Sequence, residues 1–344
     1  MSSAAAFEQR MERYRALASD EMRAVVGDGG AGLFGWMRYH LGWEDAGGRA
    51  GSAAPGKLMR AAGLLLATEL VGGAAEPAAP AAAAVELVHN FSLLHDDIED
   101  VSELRRGRAA LWTLSGSAQA INTGDGMYTL ARLAMHGLLD RGVEQRCVIE
   151  AMRELDEACL RLVEGQYMDL RYERDPAVTL DGYLAMASGK TAAMFAAPFA
   201  IGALLGGADG ATVAAMREYG RHVGLAFQAV DDVLGIWGDP AVTGKPAGDD
   251  LRARKMTYPV LAALAAPGQG AVALARAYAQ APREEAELHV LGEQIVALGG
   301  RAATERFALD EERAALDALR VARLGAAAVA DAEAYVRLAV GRVS

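Results

Sequence analysis

Two short acidic runs are the parts of this chain best suited to chemistry. The first reads Asp-Asp-Ile-Glu-Asp over 96–100, and the second reads Asp-Asp-Val-Leu-Gly over 231–235. On a helix, Asp96 and Asp100 stand one turn apart on the same face, with Cβ atoms roughly 5–6 Å apart. Like charges this close repel each other, and apolar surroundings increase the repulsion, so a cation is expected to neutralise them. Carboxylates with no nearby His/Cys cluster favour Mg²⁺, which often takes phosphate oxygens as further ligands. The pattern therefore predicts a site for a metal-bound diphosphate.

The elements that position these runs are predicted to be helices around a large core. Hydrophobic residues make up 52% of the 344 residues, and apolar side chains recur every three or four positions without a strand-like alternation. Helices are predicted over 4–25, 57–71, 78–100, 117–140, 144–172, 179–188, 190–206, 210–237, 256–266, 283–298, 302–320 and 324–340. The Gly-rich stretch 26–49 is expected to be a loop or a short helix. Since no linker is long enough to separate domains, we expect one all-α bundle over 1–344, with 1–28 as a peripheral N-terminal helix.

Charge and cysteine content narrow the class of protein. The formal net charge of −11 argues against nucleic acid as a general partner. The N-terminal segment is charged and amphipathic, unlike a signal peptide, and no uninterrupted apolar run reaches the roughly 18 residues of a membrane span. Cys147 and Cys159 lie in a helical pattern and are expected to be reduced thiols. These features predict a soluble, cytoplasmic protein with no membrane span.

Basic and polar residues stand in a fixed order around the acidic runs. An Arg-Arg-Gly run at 105–107 follows the first, a Lys-Thr pair at 190–191 lies between the two, and a Gly-Lys pair at 244–245 follows the second. In this order the motifs resemble those of the trans-isoprenyl diphosphate synthases, the polyprenyl synthetase family that elongates prenyl chains head to tail. The resemblance extends from about Gly56 to Pro259. It implies an all-α isoprenoid-synthase fold in which the two runs face each other across a deep central cavity.

The resemblance assigns the acidic residues to the site of an allylic diphosphate bound through three Mg²⁺ ions. The metal ligands it implies are Asp96, Asp97, Asp100, Asp231 and Asp232, of which Asp97 and Asp232 are expected to act in support. Arg105, Lys190 and Lys245 match the residues that grip the same diphosphate. A guanidinium group suits phosphate as a fork of donors, and a lysine ammonium group suits it as a point charge.

The second substrate, isopentenyl diphosphate, is bound in this family by basic residues without metal. The matching positions are Lys57, Arg60, His89 and Arg106. Lys57 and Arg60 lie one turn apart at a predicted helix start, where the helix dipole also favours an anion. His89 lies seven residues before Asp96, on roughly the same helix face.

The resemblance also implies the residues of the chemical step, namely Lys190, Thr191, Gln228, Asp96 and Asp231. Thr191 and Gln228 are expected to stabilise the allylic cation and to guide proton loss, with the diphosphate as proton acceptor. Gln166 and Asp169 match residues that order metal-bound water and the lysine, although exposed polar residues on a helix would look the same.

Two positions depart from the family pattern. Leu58 stands where many relatives have an arginine, so binding of isopentenyl diphosphate is expected to be weaker at most. Gly235 stands where many have a third aspartate, so the second run lacks a carboxylate one turn after Asp231. Asp250 and Lys255 match the end of the second motif, where structural or loop-closing contacts are expected.

Phe91 and Ser92, five and four residues before Asp96, match the positions that form a floor beneath the growing chain. One phenylalanine beside one small residue resembles synthases that stop near twenty carbons. We therefore expect geranylgeranyl diphosphate, made from dimethylallyl, geranyl or farnesyl diphosphate. Two bulky aromatic residues would indicate a fifteen-carbon product and two small ones a much longer one, so farnesyl and longer-chain synthases are the alternatives.

Two other classes of protein share part of this motif set. A class I terpene cyclase has the same fold and acidic metal site, but it does not need the residues that match the isopentenyl diphosphate pocket. A catalytically silent subunit of a heteromeric synthase would not need intact acidic motifs. Family members usually form homodimers through central helices, and the Ala-rich helix 117–140 is expected to pack at such an interface.

Overall fold

The computed structural model of the protein describes residues 3–51, 56–172, 175, 177–239, 247–280 and 284–341. The all-α prediction is confirmed. The helices are α1 Ser3–Val26, α2 Leu33–His40, α3 Met59–Leu70, α4 Ala79–Glu99, α5 Leu111–Ser115, α6 Ser117–Asp140, α7 Gln145–Tyr172, α8 Leu180–Ala187, α9 Ala193–Leu205, α10 Gly210–Trp237, α11 Asp249–Arg252, α12 Tyr258–Leu264, α13 Gln269–Tyr278, α14 Glu285–Ala297, α15 Gly300–Ala318 and α16 Ala326–Val340. A 3₁₀ turn at Glu76–Ala78 precedes α4, and a π-helical turn at Ser188–Ala192 joins α8 to α9. The two-residue strands β1 Leu104–Arg105 and β2 Arg108–Ala109 form an antiparallel hairpin.

Helix α13 lies in a stretch for which the sequence predicts no helix. Gly268 and Gly270 at its start are typical of a loop. They make the short helical pattern that follows difficult to recognise in the sequence. Ala271, Leu274 and Tyr278 follow at positions i, i+3 and i+7, and all three are buried. Tertiary packing of this apolar face therefore stabilises a helix whose local sequence is ambiguous.

The chain forms two compact units. Unit 1 comprises Met1–Cys159, Ala197–Arg217 and Leu319–Ala334, and unit 2 comprises Leu160–Ala196, Glu218–Ala318 and Tyr335–Ser344. Helices α7, α9, α10 and α16 each contribute residues to both units. The expectation of a single domain over the whole chain stays a prediction.

In unit 1, α4 is a central helix that carries the first acidic run at its end. The alanines at 81–84 are fully buried, and their small side chains allow neighbouring helices to approach closely. Gly124 of α6 has the same effect, because a Cβ atom there would lie 2.4 Å from Nε2 of His95. The close packing of α4 and α6 fixes the position of the last turns of α4.

The N-terminal helix α1, expected to be peripheral, also contributes to the core of unit 1. Met11, Tyr14 and Met22 are buried on one face of α1. The hydroxyl of Tyr14 donates to Oε2 of Glu69 on α3 at 2.6 Å. Helix α1 is therefore anchored by apolar contacts and by a hydrogen bond to α3.

In unit 2, an apolar cluster holds the end of α10 against the helices that follow it in sequence. Its buried members are Ile236, Leu251, Val260, Ala263, Leu274, Tyr278, Leu288, Leu291 and Ile295. Ile236 comes from the last turn of α10, and Leu251 comes from the short helix α11. Burial of these side chains fixes the residues next to them in sequence, which include the end of the second acidic run.

Among the described residues, Leu180–Leu205 is the one stretch long and apolar enough to span a membrane, with a mean hydropathy of 1.3. The most apolar 18-residue window of this stretch is 72% buried, as in the core helix of a folded protein. Both cysteines are free thiols, and burial raises the pKa of Cys159 to about 11.

Candidate active site

The first acidic run lies at the C-terminal end of α4, the helix end that disfavours negative charge. Helix α4 ends at Glu99, and the backbone N–H of Asp100 donates to the carbonyl oxygen of Asp96 at 2.8 Å. Asp96 and Asp100 are both half-buried. Their mutual repulsion adds to the unfavourable dipole, so the geometry favours binding of a cation at this pair.

Asp97 has a different environment from its neighbours. Its side chain is 1% exposed, and its Oδ1 atom accepts hydrogen bonds from Nε of Arg105, at 2.8 Å, and from Nη2 of the same residue. The carbonyl oxygen of Asp97 accepts from the N–H of Ser102 at 2.8 Å. Asp97, expected to support the metal, therefore binds and orients Arg105.

Arg105 and Arg106 are presented by the β1–β2 hairpin. Arg106 and Gly107 have φ angles of 53° and 72°, as a two-residue turn of type I′ requires at both positions. Arg108 fixes the hairpin, because its guanidinium group donates to the carbonyl oxygens of Tyr39 at 2.9 Å and Glu44 at 2.8 Å. The Arg108 guanidinium carbon also lies 4.1 Å from the centroid of the Tyr39 ring. The hairpin is thus anchored to α2.

The start of α3 lies beside the same hairpin. A Cβ atom at Gly56, next to Lys57 in the chain, would lie 3.1 Å from Nη2 of Arg106. Glu86 of α4 is 3% exposed, and its Oε1 accepts from the N–H of Ala61 at 3.1 Å, which holds the first turn of α3. Burial raises the pKa of Glu86, and the positive charge of Arg60 opposes this shift. Glu86 therefore partly compensates the positive charge that gathers here.

Leu58, where many relatives have an arginine, adopts the left-handed conformation at the N-cap of α3, with φ 46°. This conformation is unfavourable for a residue with a Cβ atom by roughly 1–2 kcal/mol. The turn directs the chain from Lys57 into the helix that carries Arg60.

Arg60, Arg106, His40 and His89 form what we call the basic cluster. Burial lowers the pKa of His89 well below its usual range, and the charges of Arg60 and Arg106 lower it further. His40, which is 8% exposed, has a pKa lowered to about 3 by burial and then by Arg106 and Arg105. Both imidazoles are therefore neutral near pH 7 among arginines that attract an anion.

The sequence gives no signal for His40. It ends helix α2 within a Gly-rich stretch, and the fold of that stretch depends on Arg38. The buried guanidinium group of Arg38 donates to the carbonyl oxygens of Gly27 at 3.1 Å and Gly30 at 2.8 Å. Since these contacts are tertiary, local periodicity does not place His40 beside the hairpin.

Phe91 and Ser92 lie on α4, one turn before the first acidic run. The Phe91 side chain is 8% exposed and packs edge-on against Tyr128 of α6, with ring centroids 5.3 Å apart. It also packs edge-on against His95 at 5.6 Å. The hydroxyl of Ser92 donates to the carbonyl oxygen of His89 at 2.8 Å. Phe91 therefore packs in a group of three rings. The other two, Tyr128 and His95, are not among the chain-length residues predicted from the sequence.

In unit 2, Thr191 and Gln228 lie in one chain of hydrogen bonds. The hydroxyl of Thr191 donates to Oε1 of Gln228 at 2.6 Å, and Nε2 of Gln228 donates to Oδ1 of Asp232 at 2.8 Å. Oδ2 of Asp232 accepts from the hydroxyl of Tyr183 at 2.6 Å and from the N–H of Tyr258 at 2.8 Å. Asp232 therefore fixes the orientation of the Gln228 amide group, which in turn fixes the Thr191 hydroxyl.

Both oxygens of Asp232 accept hydrogen bonds from protein donors, although Asp232 was expected to support the metal. The residue is 3% exposed, and burial raises its pKa to about 7, while the hydrogen bond from Tyr183 opposes this shift. Tyr183 is missing from the set of residues expected from sequence, because its position on α8 resembles that of any core tyrosine. Asp231, in contrast, is exposed on α10.

The π-helical turn Ser188–Ala192 presents Lys190 and Thr191. π-helical turns occur frequently at functional sites because they redirect side chains within a helix. A Cβ atom at Gly165 of α7 would lie 2.1 Å from the Lys190 backbone nitrogen, so only glycine permits this approach. Nζ of Lys190 donates to Oδ2 of Asp169 at 2.6 Å. The predicted link between Asp169 and the lysine is present, and Gln166 lies half-buried on the same helix.

Four further positions singled out in the sequence remain. Lys245 lies outside the described residues. Lys255 is half-buried, and its carbonyl oxygen accepts from the Tyr278 hydroxyl at 2.6 Å. Gly235 lies directly against Asp250, since a Cβ atom at 235 would lie 1.9 Å from Oδ2 of Asp250.

The donor set fits Mg²⁺. Asp96 and Asp100 in unit 1 and Asp231 in unit 2 offer only carboxylate oxygens, the ligand type that Mg²⁺ prefers. Among the described residues, no three His, Cys, Asp or Glu side chains come close enough together to hold a cation by themselves. Mg²⁺ usually binds through one or two carboxylates, with phosphate and water as its other ligands. The residues present therefore suit a metal ion that arrives with a diphosphate.

Comparison with known proteins identifies the family. The polyprenyl synthetase family model matches residues 49–295. The chain is 45% identical over 285 residues to a geranylgeranyl diphosphate synthase from Mycobacterium tuberculosis, covering 82% of this chain and 79% of that one. It is 48% identical over 224 residues to a (2E,6E)-farnesyl diphosphate synthase from the same species, covering 65% and 61% respectively.

Solved structures agree with this assignment. The fold matches the crystal structure of a polyprenyl synthetase from Streptomyces coelicolor with a TM-score of 0.90 and 39% identity, covering 97% of this chain and 99% of that one. It also matches a polyprenyl synthase from Caulobacter crescentus complexed with calcium and isoprenyl diphosphate, with a TM-score of 0.82 and 31% identity, covering 99% and 97%. The chain therefore belongs to the polyprenyl synthetase family and is a prenyl diphosphate synthase, a prenyltransferase of isoprenoid biosynthesis.

Proposed function

We propose that the protein catalyses the Mg²⁺-dependent head-to-tail condensation of isopentenyl diphosphate with an allylic diphosphate, giving all-trans geranylgeranyl diphosphate. The observation that carries this proposal is the pairing of two anion sites of different kinds along α4. Asp96 and Asp100 suit a diphosphate bound through metal, whereas the basic cluster around His89 suits a diphosphate bound without it. A condensing enzyme needs both sites, and a terpene cyclase needs only the first.

The allylic diphosphate is bound through the acidic residues and three Mg²⁺ ions. Asp96 and Asp100 on α4 and Asp231 on α10 are the carboxylates proposed to hold the metal. Binding of calcium with isoprenyl diphosphate by the Caulobacter relative supports divalent metal binding here. When bound, Mg²⁺ would neutralise the negative charge that develops on the departing diphosphate.

Basic residues hold the same diphosphate by direct contact. Arg105 presents a guanidinium group whose position is fixed by buried Asp97, and Lys190 presents an ammonium group oriented by Asp169. Lys245, from the segment between α10 and α11, is proposed to join them. Gln166 and Asp169 are proposed to order water at this site.

Isopentenyl diphosphate is bound by Lys57, Arg60, His89 and Arg106. The arginines supply charge, and neutral His89 supplies one N–H donor while adding no further positive charge to the cluster. This pocket needs no metal, since cationic donors alone converge there.

Thr191 and Gln228 act on the allylic cation. A hydroxyl group has one donor and two acceptor sites. Because the Thr191 hydroxyl donates its proton to Gln228, its oxygen lone pairs remain available to a developing positive charge. Asp232 keeps Gln228 in the required orientation. The proton lost after condensation is proposed to pass to the diphosphate leaving group.

The product length depends on Phe91 and Ser92. The Phe91 ring packs against Tyr128 and His95, so a change of its rotamer would break two ring contacts. Ser92 leaves the neighbouring position small. The relatives include both geranylgeranyl and farnesyl diphosphate synthases, and the small residue at 92 favours the C20 product over C15.

The direct test is a product assay with purified protein, Mg²⁺, isopentenyl diphosphate and each of dimethylallyl, geranyl and farnesyl diphosphate. We expect a C20 diphosphate from all three and no product in EDTA. Hydrocarbon formed from an allylic diphosphate without isopentenyl diphosphate would replace this proposal with the cyclase. Prenyl diphosphates ending at C15 would reject only the chain length.

The functional form is proposed to be a cytoplasmic homodimer. Ile121 and Leu133 on α6 are 42% and 58% exposed, and Leu160, Val163 and Tyr167 on α7 are at least half exposed. Large apolar side chains exposed along a helix often mark an interface. Sedimentation of the protein as a monomer at micromolar concentration would reject the dimer.

The acidic net charge supports the absence of a nucleic-acid partner.

A further inference from the structure

His40 is a buried member of the basic cluster that has no part in the proposed function. It is the last residue of α2, and two hydrogen bonds tie this end of α2 to the β1–β2 hairpin. The hydroxyl of Tyr39 donates to the carbonyl oxygen of Ala109 at 2.8 Å, and Nη1 of Arg108 donates to the carbonyl oxygen of Tyr39 at 2.9 Å. His40 is therefore held beside the residues that are proposed to bind isopentenyl diphosphate, all of them in unit 1.

His40 lies among positive charges while it is itself uncharged. Burial lowers its pKa to about 3, and three guanidinium groups of the hairpin add to this shift, those of Arg106, Arg105 and Arg108. On its own helix, Nε of Arg38 donates to Oε1 of Glu44 at 2.6 Å, so this further guanidinium group is paired. A permanent cation in place of His40 would be repelled by its neighbours in the empty pocket. An imidazole, in contrast, can change its charge when its surroundings change.

Asn90 of α4 acts in the opposite direction, since it favours the charged form of His40. Nδ2 of Asn90 donates to the carbonyl oxygen of Glu86 at 2.8 Å, which orients the amide group. Oδ1 of Asn90 and Nε2 of His40 are both buried, and neither atom has a hydrogen-bond partner among the described residues. A neutral imidazole has one N–H donor, whereas the charged form has two. Protonation would therefore give His40 a second donor where an acceptor oxygen lacks one.

Two other groups of this region can change their charge when an anion enters. His89 is half-buried on α4, and burial and the charge of Arg60 lower its pKa. Burial raises the pKa of Glu86, whereas the charge of Arg60 favours its ionised form. His40 differs from both because the oxygen of Asn90, which lacks a donor, favours its charged form. His40 is therefore the best-placed proton acceptor of the three.

We infer that His40 is a further residue of the isopentenyl diphosphate site, which accepts a proton from the solvent when the diphosphate binds and then adds a positive charge to the basic cluster. One N–H bond forms on the imidazole, and no other bond is made or broken. The negative charges of a nearby diphosphate favour a charged imidazole. The empty pocket thus avoids a further buried cation, and the occupied pocket gains one. This inference rests on the proposed function of the basic cluster.

Proton uptake is measured by calorimetric titration with isopentenyl diphosphate at pH 6.5, without metal, in two buffers of different ionisation enthalpy. The ligand's own change of protonation is common to all variants, so the difference between wild type and His40→Gln is the contribution of His40. We expect wild type to take up roughly 0.3–1 proton more per site than His40→Gln does. His289→Gln, at an exposed histidine of α14, is the matched control and should take up as many protons as wild type.

The affinity for isopentenyl diphosphate should show the matching pH dependence. Since binding raises the pKa of His40, wild type gains affinity relative to His40→Gln as the pH falls. We expect the Kd of His40→Gln divided by that of wild type to rise about 3- to 10-fold between pH 8 and pH 6. A purely structural role of His40 would change the Kd by the same factor at every pH.

Nitrogen-15 NMR of the imidazole groups identifies the residue that is protonated. The chain has six histidines, and the signals missing from the spectra of His40→Gln and His89→Gln are those of the replaced residues. On addition of isopentenyl diphosphate at pH 6.5, the two ring nitrogens of His40 should move toward the values of a charged imidazole. Thermal unfolding shows whether each variant is folded, and His40→Asn replaces His40→Gln if the latter is not.

Three results would overturn the inference. They are equal proton uptake by wild type and the folded His40 variant, His40 signals that stay those of a neutral imidazole in the saturated complex, and a change to the charged form at His89 instead. The proposed function fails separately: in that case wild type neither binds isopentenyl diphosphate without metal nor condenses the two substrates.

Discussion

The two acidic runs are built alike but differ in the groups to which their buried aspartates are hydrogen-bonded. In each run the first aspartate is accessible and the second is buried, at 1% exposure for Asp97 and 3% for Asp232. Asp97 holds a cation, Arg105, whereas Asp232 holds neutral donors, among them the Gln228 amide. The same Asp-Asp pair therefore orients a guanidinium group in unit 1 and a chain of neutral polar groups in unit 2. The proposed function assigns diphosphate binding to the first and carbocation stabilisation to the second.

The runs also differ in how their outward carboxylates are supplied. The first run is complete on one helix, since Asp96 and Asp100 stand one turn apart. The second run has Asp231 on α10 and lies against Asp250 from α11. Gly235 thus leaves Asp231 as the one outward carboxylate that the second run has on its own helix.

The largest expected effect comes from removing a carboxylate of the first run. Asp96→Ala should lower kcat by roughly 10²–10³-fold or more, because the departing diphosphate loses charge stabilisation. The KM for isopentenyl diphosphate should change little, since that substrate is proposed to bind to the basic cluster. Steady-state kinetics with each substrate varied in turn measures both values. Glu99→Gln, an exposed neighbour on α4, is the matched control; an equal rise in both KM values for Asp96→Ala would contradict separate sites.

Replacing the two buried aspartates tests the comparison between them. Asp97→Asn frees Arg105 and should mainly raise the KM for allylic diphosphate, by roughly 10- to 100-fold if one charged hydrogen bond is lost. Asp232→Asn should instead lower kcat with a smaller change in KM, because it disturbs the orientation of Gln228 and Thr191. The same kinetic pattern in both variants would show that the buried aspartates do not have different roles. Thermal unfolding of each variant separates these effects from loss of fold.

Replacing Phe91 is expected to change the length of the product and not only the rate of its formation. Phe91→Ala removes the ring that packs against Tyr128 and His95, and it should shift the product beyond C20. Tyr128→Phe keeps the ring contact and should leave the C20 product unchanged. Chromatography of the dephosphorylated products measures the distribution. An unchanged C20 product from Phe91→Ala would reject Phe91 as the floor.

The smallest expected effect is on stability at acid pH. The pKa of His40 is about 3 in the folded protein and near 6.5 when unfolded, so the unfolded state binds the extra proton between these values. Its contribution to stability is present above pH 6.5 and is lost as the pH falls toward 3. Near pH 4.5 the loss amounts to about 2–3 kcal/mol, at roughly 1.4 kcal/mol per pH unit.

Urea unfolding between pH 7 and pH 4.5 measures this loss in the free energy of unfolding. His40→Gln should show a weaker fall in the free energy of unfolding than wild type does, because glutamine has no proton to bind in this range. His289→Gln is the control, since His289 is exposed on α14. Parallel curves for wild type and His40→Gln would contradict burial of a neutral His40 among Arg105, Arg106 and Arg108.

Sequence predicted the helices and the first acidic run well because both depend on local spacing. Asp96 and Asp100 need only helical geometry to share a face, and the periodicity that predicts α4 is strong. The partners of the buried residues depend on tertiary contacts, so the sequence could not distinguish Asp97 from Asp96 or Asp232 from Asp231. His40 and Tyr183 were beyond prediction for the same reason: each meets its polar partners only after distant elements pack.

The most direct test of the central claim is the metal dependence of binding of each substrate to wild type. Isothermal titration with isopentenyl diphosphate, and separately with an unreactive thiolo analogue of an allylic diphosphate, is carried out in Mg²⁺ and in EDTA. We predict that isopentenyl diphosphate binds with the same Kd in both buffers, whereas the allylic analogue binds only with Mg²⁺. If both ligands need the metal, or if neither does, the two sites along α4 are not distinct.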